Sequence, residues 1–520
     1  MGLANENSLG YEKSYIVDLV VFHAIVRSSL GVEMITALAV LVALGILAVG
    51  FNRARPYGKL GILAWFQSVV LMSPWIIFFG LFSAGIYLNL AGMLLLFVIS
   101  TGIYIWIGRK LRAEGQEFLA QRAAAKVAIE SAFPKSDDAT EAPVMIPPES
   151  LSIPNEDLQA IKSIFGIDTY FLTETISYQD GAIFKGNLRG DPDSTHAKLT
   201  ENLKAQVGDR YRLFLIENQE EKPVVVVLPS KNDPKPLTLT QTLLSIVLFL
   251  ATIAASLETG GILLGFDFYG SPERYAEVLP FSIGILAVLL AHEFGHWIVA
   301  KRYQIKLNLP FFIPTWQIGS FGAITKFASL LPNRSTLFDI SVAGPLAGGA
   351  VAFGMLIAGL LMSHEGSGFK VPTQFFEGSI LVGTLARVIM GAEIQRSIVE
   401  VSPLVVLGWI GLVVTAINVM PAGQLDGGRI VQAIYGRKIA ARATVATIII
   451  LGLASFVNPL ALYWAIVIVV LQRTPERPSL NELTEPDDAR AGIALVVLFL
   501  MLMILLPLTP SLAGRLGIGG

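Results

Sequence analysis

The chain has 520 residues, of which 53% are hydrophobic and only 15% are charged. Its mean hydropathy of +0.63 excludes an ordinary soluble enzyme and predicts a protein with several membrane-spanning segments. The formal net charge of −2 gives no electrostatic reason to expect a nucleic-acid partner. Because the chain has no cysteine, disulfides and thiolate metal sites are both excluded.

The first 108 residues predict an N-terminal arm at 1–33, followed by three accessory transmembrane helices at 34–108. These helices are expected at Val32–Phe51, Leu60–Phe82 and Ile86–Ile107, each with about the 20 apolar residues that a bilayer requires. Basic residues follow the first and third helices, so these ends are predicted to face the cytoplasm or the equivalent side of an organelle. No signal or transit peptide is recognised, which favours a bacterial or a mature organellar chain.

Residues 109–154 predict a helical extension and a linker rich in proline and acidic residues, and residues 155–232 predict a small soluble α+β domain. The expected order is α-β-β-α-β-β, with elements at Asn155–Phe165, Thr169–Ser177, Ala182–Leu188, Ser194–Val207, Tyr211–Glu217 and Pro223–Leu228. This order favours a sandwich of ferredoxin-like type. His196 lies on the second of these helices and is expected to be exposed and solvated.

Residues 237–472 predict a second transmembrane core, and residues 473–520 a C-terminal transmembrane helix with a tail. Spans are expected at Leu237–Leu257, Val278–Arg302, Leu337–Met362, Leu404–Val419 and Ala489–Leu506, with shorter apolar pieces at Thr444–Phe456 and Leu460–Val470. Tyr303–Asn333 is apolar but broken by glycine and proline. It predicts a re-entrant loop or a β-ribbon, because bare backbone at membrane depth must be shielded by protein. An amphipathic piece around Leu385–Val399 is expected to lie on the membrane surface.

The second span of this core carries the sequence His292-Glu293-Phe294-Gly295-His296. Histidines four residues apart lie on one face of a helix, so both imidazoles can reach one metal ion. Glu293 can reach a water on that metal and take its proton, which is the arrangement of zinc peptidases. Each ionisable group near the centre of a membrane helix costs at least ~2.5 kcal/mol, so a partner such as a metal is expected. The alternative is that neighbouring helices satisfy these residues as ordinary polar groups.

A catalytic zinc site typically has three protein ligands and keeps its fourth position for water. Asp426 is the best candidate for the third ligand, because it directly follows an apolar helix, is held by Pro421 and is freed to turn by Gly427 and Gly428. The alternative is an ordinary turn residue, since Asp-Gly is common in turns. Weaker candidates are Asp339, Glu365, Glu393 and Glu400.

Asn418 lies eight residues before Asp426 on the same segment. Its amide could stabilise an oxyanion or hold the substrate backbone, or it could make only an interhelical hydrogen bond. His23 and His364, like His196, are expected to be solvated rather than to bind metal.

The paired motifs resemble those of the site-2 protease family of intramembrane zinc metalloproteases. The resemblance rests on the histidine motif, Asn418-x-x-Pro421-x-x-x-x-Asp426-Gly427, Pro310–Pro314 with Ile318–Ala323, and Ala343–Gly348. Gly186-Asn187-Leu188-Arg189-Gly190 is similar to a motif of the plant chloroplast and cyanobacterial branch. The resemblance covers roughly Glu156 to Arg437 and leaves the three accessory helices outside.

The resemblance implies a role for each site residue. His292, His296 and Asp426 would bind Zn²⁺, and Asn418 would hold the substrate or the oxyanion. Glu293 would be the general base for the zinc-bound water and later the proton donor to the leaving amine. The fold class is then a polytopic α-helical membrane protein with a small soluble α+β domain inserted before the catalytic transmembrane core.

The implied function is an intramembrane zinc endopeptidase that hydrolyses peptide bonds in or near transmembrane segments. Its expected partners are single-span transmembrane-protein substrates and the lipid bilayer, and the sequence indicates no particular oligomeric state. The implied location is a bacterial or cyanobacterial plasma or thylakoid membrane, or a chloroplast membrane, with the active site toward the cytoplasmic or stromal side.

Two alternatives stay open at this point. A metal-binding membrane transporter would have polar residues dispersed along a path and internal repeats, whereas the polar residues here concentrate at two points. A catalytically silent membrane scaffold would keep the fold without the chemistry, and the intact motif argues against it.

Overall fold

The computed structural model describes residues 47–83 and 96–111 with short interruptions, 153–471 except 179, 219, 316 and 457–458, and 475–518. The predicted N-terminal arm with His23, most of the first accessory span, the helical extension and the linker lie outside the described residues. The chain forms two compact units, Met1–Met145 and Ile146–Gly520. In the first unit, helix α1 extends from Gly58 to Ser83 at the place of the second predicted span.

The second unit begins with a small sheet domain, which confirms the predicted α+β unit. Its elements are α2 (Asn155–Lys162), β1 (Tyr170–Tyr178), β2 (Gly181–Leu188), α3 (Pro192–Val207), β3 (Tyr211–Glu217) and β4 (Pro223–Pro229). The strands pair antiparallel in the order β1-β2-β4-β3, so β3 lies at an edge of the sheet. Both helices cover the same face, because Leu158 and Leu199 share one buried core with Leu215 and Val225.

His196 is half-buried on α3, so the prediction that it is solvated was wrong. Among the described residues, its Nε2 atom has no hydrogen-bond partner. Burial lowers the pKa of His196 below its usual 6.5, although a backbone contact at Leu213 and the charge of Asp193 raise it. The physical reason is that position 196 borders the buried stripe of α3 that includes Thr195 and Leu199.

The rest of the second unit is mainly helical, with two short hairpins. Its helices are α4 (Leu239–Leu263), α5 (Tyr275–Arg302), α6 (Arg334–Met362), α7 (Ile380–Met390), α8 (Pro403–Asn418), α9 (Asp426–Ala454), α10 (Pro459–Leu471), α11 (Asp488–Leu505) and α12 (Pro510–Leu516). Within the described ranges, four helices are long and apolar enough to cross a membrane: α4, α5, α6 and α11. Helix α8, predicted as a span, has only 16 residues, fewer than a bilayer usually requires.

Two hairpins interrupt this helical unit. β5 (Phe311–Thr315) pairs antiparallel with β6 (Gly319–Ile324), which confirms the β-ribbon expected between the second and third spans. β7 (Phe369–Pro372) pairs with β8 (Ile398–Val401). The amphipathic piece expected around Leu385–Val399 is divided between elements, because Gly391, with φ +60°, ends α7 and a short 3₁₀ helix leads into β8; its position on the membrane surface stays a prediction.

Small residues allow α5, α6 and α8 to pack closely. A Cβ atom added to Gly295 of α5 would lie 2.4 Å from the Ala343 carbonyl oxygen of α6. One added to Gly408 of α8 would lie 2.4 Å from the backbone nitrogen of Leu356 on α6. Backbones that approach this closely exclude larger side chains, which is the usual packing of small residues between membrane helices.

Candidate metal centre

The two motif histidines point into the interior from consecutive turns of α5. Both His292 and His296 are buried, and their Nε2 atoms lie 3.1 Å apart. Asp426, the first residue of α9, is also buried and faces both rings. Its Oδ2 lies 2.9 Å from the His292 Nε2, and its Oδ1 lies 3.4 Å from the His296 Nε2. The structure therefore brings together the three side chains that the sequence predicts as ligands.

A backbone carbonyl on α6 fixes the tautomer of His296. The Nδ1 atom of His296 lies 2.7 Å from the Ile340 carbonyl oxygen. Because a carbonyl oxygen only accepts hydrogen bonds, the hydrogen lies on Nδ1, and the Nε2 lone pair faces His292 and Asp426. Histidine ligands of metals are commonly held in this way. Sequence reasoning missed Ile340, because only its backbone takes part.

Glycines of α6 make room for the two rings. A Cβ atom added to Gly344 would lie 2.2 Å from the His296 Nε2, and one added to Gly348 would lie 2.9 Å from the His292 Cβ. The α6 backbone therefore packs directly over the imidazoles. Two imidazole nitrogens and a carboxylate that converge in a buried place form a donor set that fits zinc.

The start of α9 sets the position of Asp426. A Cβ atom added to Gly427 would lie 1.8 Å from the Val419 carbonyl oxygen, and one added to Gly428 would lie 2.4 Å from the Gly423 carbonyl oxygen. Both glycines are helical residues at the start of α9. Their role is close packing against residues 419–423, and not the freedom to turn that the sequence suggested.

Glu293 is half-buried beside the histidines, and its Oε2 accepts a hydrogen bond of 2.6 Å from the Thr325 hydroxyl. In the described part of the chain, the ligand atoms of His292, Glu293 and His296 lie within 4.8 Å of one another. Thr325 directly follows β6 and was not predicted. No spacing in the sequence indicates it, since its position depends on how the hairpin folds back.

Asn418 ends α8, and its amide is turned toward the backbone. Its Nδ2 donates to the carbonyl oxygens of Phe321 on β6, at 3.2 Å, and of Val414 on α8, at 2.8 Å. A Cβ atom at Gly322, where φ is +102°, would lie 2.3 Å from this nitrogen, so β6 can approach Asn418 only with glycine there. These bonds fix β6 against α8, and a direct contact with substrate stays a prediction.

A small cavity lies beside the three predicted ligands, with about 10 Å³ of space for water. Its wall is formed by His296, Ala323, Ile324, Thr325, Asn418, Gln424, Leu425, Asp426 and Arg429. The end of β6 thus borders the same space as the predicted metal ligands.

The weaker ligand candidates have other partners. Asp339 pairs with Arg490 at 2.7 Å. Glu365 and Glu393 pair with Arg396 at 2.6 and 3.0 Å, and Glu400 pairs with Lys370 at 3.2 Å. His364 is exposed, as predicted, and its Nδ1 contacts the neighbouring Glu365 carbonyl. None of these side chains contacts the imidazoles of His292 and His296 in the described structure.

An H-E-x-x-H helix whose two histidines face a carboxylate from a second helix defines the class of zinc metallopeptidases. Comparison with known proteins agrees. A sequence model described as peptidase family M50 matches residues 280–458, and one described as the EGY3 middle domain matches residues 159–235. No solved structure matches the chain.

Several plant proteins match most of this chain. It is 37% identical over 406 residues to the probable zinc metalloprotease EGY1, chloroplastic, of Oryza sativa subsp. japonica, covering 71% of this chain and 70% of that protein. It is 37% identical over 380 residues to the probable zinc metalloprotease EGY2, chloroplastic, of Arabidopsis thaliana, covering 71% and 67%. The Arabidopsis EGY3 protein is 31% identical over 378 residues, covering 68% and 65%.

The chain therefore belongs to the M50, or site-2 protease, family of zinc metalloproteases, in the branch that includes the plant chloroplast EGY proteins. Its cofactor is Zn²⁺. This membership favours the protease over the transporter and scaffold alternatives.

Proposed function

We propose that this zinc metalloprotease is an intramembrane endopeptidase, which cleaves peptide bonds in or near transmembrane segments of single-span proteins. One observation carries the proposal. The turns of α5 that hold the metal ligands have exposed apolar side chains on their outer face. Phe294, Trp297 and Ile298 are 56%, 48% and 47% exposed. An apolar surface of this kind around the site suits lipid better than water.

The depth of the site supports the same proposal. His292 lies ten residues before Arg302, the last residue of α5, so it lies about 15 Å from that end of the helix. Lys301 and Arg302 form the basic end of α5, which orients that end toward the cytoplasmic or stromal side. The active site would then lie within the bilayer and open toward that side. The chloroplast names of the relatives suit a chloroplast or cyanobacterial membrane.

The substrate would have to unwind before it is cut, because a helix hides its amides in its own hydrogen bonds. Ala323 and Ile324, at the end of β6, and Thr325, directly after it, line the cavity beside Asp426 and His296. An unwound segment could lie along this edge as an added strand, and strand pairing recognises backbone more than sequence.

The chemistry assigned to this chain's residues is hydrolysis by general base catalysis. Bound zinc would supply Lewis acidity for the water and for the peptide carbonyl. The Glu293 carboxylate takes a proton from the water, whose oxygen attacks the carbonyl carbon. The C–N bond then breaks, and Glu293 returns the proton to the leaving amine nitrogen. His292, His296 and Asp426 hold the metal, while Asn418 holds β6 in place beside it.

The test uses the full chain in zinc-loaded liposomes with a single-span reporter. The reporter carries a fluorophore and a quencher on either side of an apolar segment with a central Asn-Pro pair, which favours unwinding. We expect cleavage at a bond inside the apolar segment, located by mass spectrometry. We also expect slower cleavage when a Leu-Leu pair replaces Asn-Pro. Cleavage confined to water-exposed loops, or equal cleavage of an unfolded soluble protein such as casein, would contradict the proposal.

A further inference from the structure

The catalytic base has a partner that belongs to neither metal motif. The Thr325 hydroxyl donates to the Glu293 Oε2 at 2.6 Å. Thr325 is itself buried, just beyond the end of β6. With one carboxylate oxygen held by this hydroxyl, the other oxygen is left to accept the proton of the water. The hydroxyl therefore fixes the direction in which Glu293 can act.

A buried arginine holds Thr325 from the other side. Arg429 lies one helical turn after Asp426 on α9 and is only 4% exposed. Its Nη2 donates to the Thr325 backbone carbonyl at 2.7 Å, and its guanidinium lies 4.8 Å from the Phe327 ring centre. Arg429 therefore contacts both Thr325 and Phe327, and these contacts stabilise the position of Thr325.

The charge of Arg429 is matched by Glu476. The Glu476 Oε2 accepts hydrogen bonds from the Nε of Arg429 at 3.0 Å and from its Nη2 at 2.8 Å. Both side chains are buried, and a buried charge needs such a partner. Glu476 lies beyond residues 280–458, the range that the M50 family model matches.

Glu476 begins a segment that is anchored along its length, and we call residues 476–484 the strap. Leu480 and Glu482 of the strap bond to the backbone of Leu215 on the open edge of β3, at 2.8 and 2.9 Å. On the other side, Leu480 and Asn481 donate to the carbonyls of Leu331 and Pro332, at 2.9 and 3.0 Å. Asn481 Nδ2 also donates to Asp193 at 2.6 Å. The strap therefore connects Glu476, whose own carbonyl accepts hydrogen bonds from Gln432 and Arg437 of α9, to the edge of the sheet domain.

We infer that Thr325 is a positioning residue for Glu293, and that the strap keeps Thr325 in place through Glu476 and Arg429. This inference rests on the proposed role of Glu293 as the base. It extends the site to residues that neither metal motif contains, and it joins the sheet domain to the catalytic base through hydrogen bonds linked by the backbone of the strap.

The first test compares Thr325→Val, which replaces a hydroxyl by a methyl group, with Thr325→Ser, which keeps the hydroxyl. With the single-span reporter, Thr325→Val should lower kcat by about 10- to 100-fold with KM and zinc content unchanged. A misplaced base slows the chemical step but does not weaken substrate binding. Thr325→Ser should retain most of kcat. Thr252→Val is the matched control, because in the described structure the buried Thr252 hydroxyl donates to the Leu248 carbonyl of its own helix, α4.

The second test follows the path to the strap. Glu476→Gln should lower kcat and speed amide hydrogen exchange in residues 319–327, whereas Glu201→Gln, at an exposed position of α3, should do neither. In a double-mutant cycle, Glu476→Gln and Thr325→Val should be less than additive, because both act on the same carboxylate. Should Glu476→Gln fail to fold, the comparison of Thr325→Val with Thr325→Ser still decides the role of Thr325.

The outcomes separate this inference from the proposed function. If Glu293→Gln abolishes cleavage but Thr325→Val cuts at the wild-type rate, the inference is wrong and the proposed function stands. A loss of zinc or a rise in KM in Thr325→Val, without a fall in kcat, would also overturn the inference. If Glu293→Gln still cuts at the wild-type rate, the proposed function itself fails.

Discussion

Gly344 affects both the packing of α6 and the position of the metal ligand His296. It lies on α6, and an added Cβ atom would stand 2.2 Å from the His296 Nε2, the atom that faces the metal position. The Ile340 carbonyl holds the other nitrogen of the same ring from the preceding turn of α6. A side chain at 344 must therefore displace either the ring or the helix.

We predict that Gly344→Ala weakens zinc binding by about 10- to 100-fold, the usual effect of disturbing the groups that orient a metal ligand. Zinc affinity of the purified protein, measured by competition with a chelator, would show this. Gly354→Ala is the matched control, because that position lies on the same helix and no described residue comes within 4 Å of an added Cβ. Equal affinities for the two variants would contradict the assignment of His296 as a ligand.

At the scale of single residues, the sequence predicts those site residues whose side chains follow a recognisable spacing. His292, Glu293 and His296 follow from their spacing, and Asp426 from its place after an apolar helix. Thr325 and the Ile340 carbonyl could not be predicted, because one depends on the path of a hairpin and the other is a backbone atom. The position of Arg429 weakly indicates a second polar contact near the site, because a charged residue one turn after a buried ligand needs a partner of its own.

At the scale of elements, the predictions succeeded where periodicity or turn residues are strong. The β5–β6 ribbon follows from an apolar stretch too broken to span, and α4, α5, α6 and α11 follow from long apolar runs. Helix α8 has the predicted length of 16 residues but begins and ends one residue earlier than predicted, at Pro403 and Asn418. The prediction that His196 is solvated was wrong, because the sequence alone does not show which side of α3 contacts β3.

His196 leads to a prediction about the sheet domain. The unfolded chain binds a proton on His196 near its ordinary pKa of 6.5, whereas burial lowers the pKa of this imidazole in the folded domain. Below about pH 6.5 the unfolded state therefore binds more protons, and the free energy of unfolding falls as the pH falls. We expect amide hydrogen exchange in α3 and β3, corrected for intrinsic rates, to be faster at pH 5.5 than at pH 7.5.

The variant His196→Gln, which cannot titrate, is the control for this effect. It should remove most of the difference in exchange between the two pH values. If the pH dependence is the same in the variant and in the wild type, His196 is not its source, and other titrating groups of the domain must account for it.

At the scale of the whole molecule, composition and hydropathy predict the mainly helical architecture, and the motifs predict where its chemistry lies. They do not predict the strap, because residues 476–484 are mostly polar and have no periodicity that points to a partner. Its position depends on two surfaces distant in sequence, the edge of β3 and the residues before α6. Contacts of this kind arise only when the whole unit has folded.

The central claim is that Glu293 is the base of a zinc-dependent intramembrane protease. The measurement that tests it most directly compares the wild type with Glu293→Gln in liposomes, with zinc content and reporter cleavage determined on the same samples. We predict equal zinc in both and a rate lower by about 10²- to 10⁴-fold in the variant, the usual contribution of a general base. A variant that cuts at the wild-type rate, or a wild-type protein that cuts without holding zinc, would contradict the account.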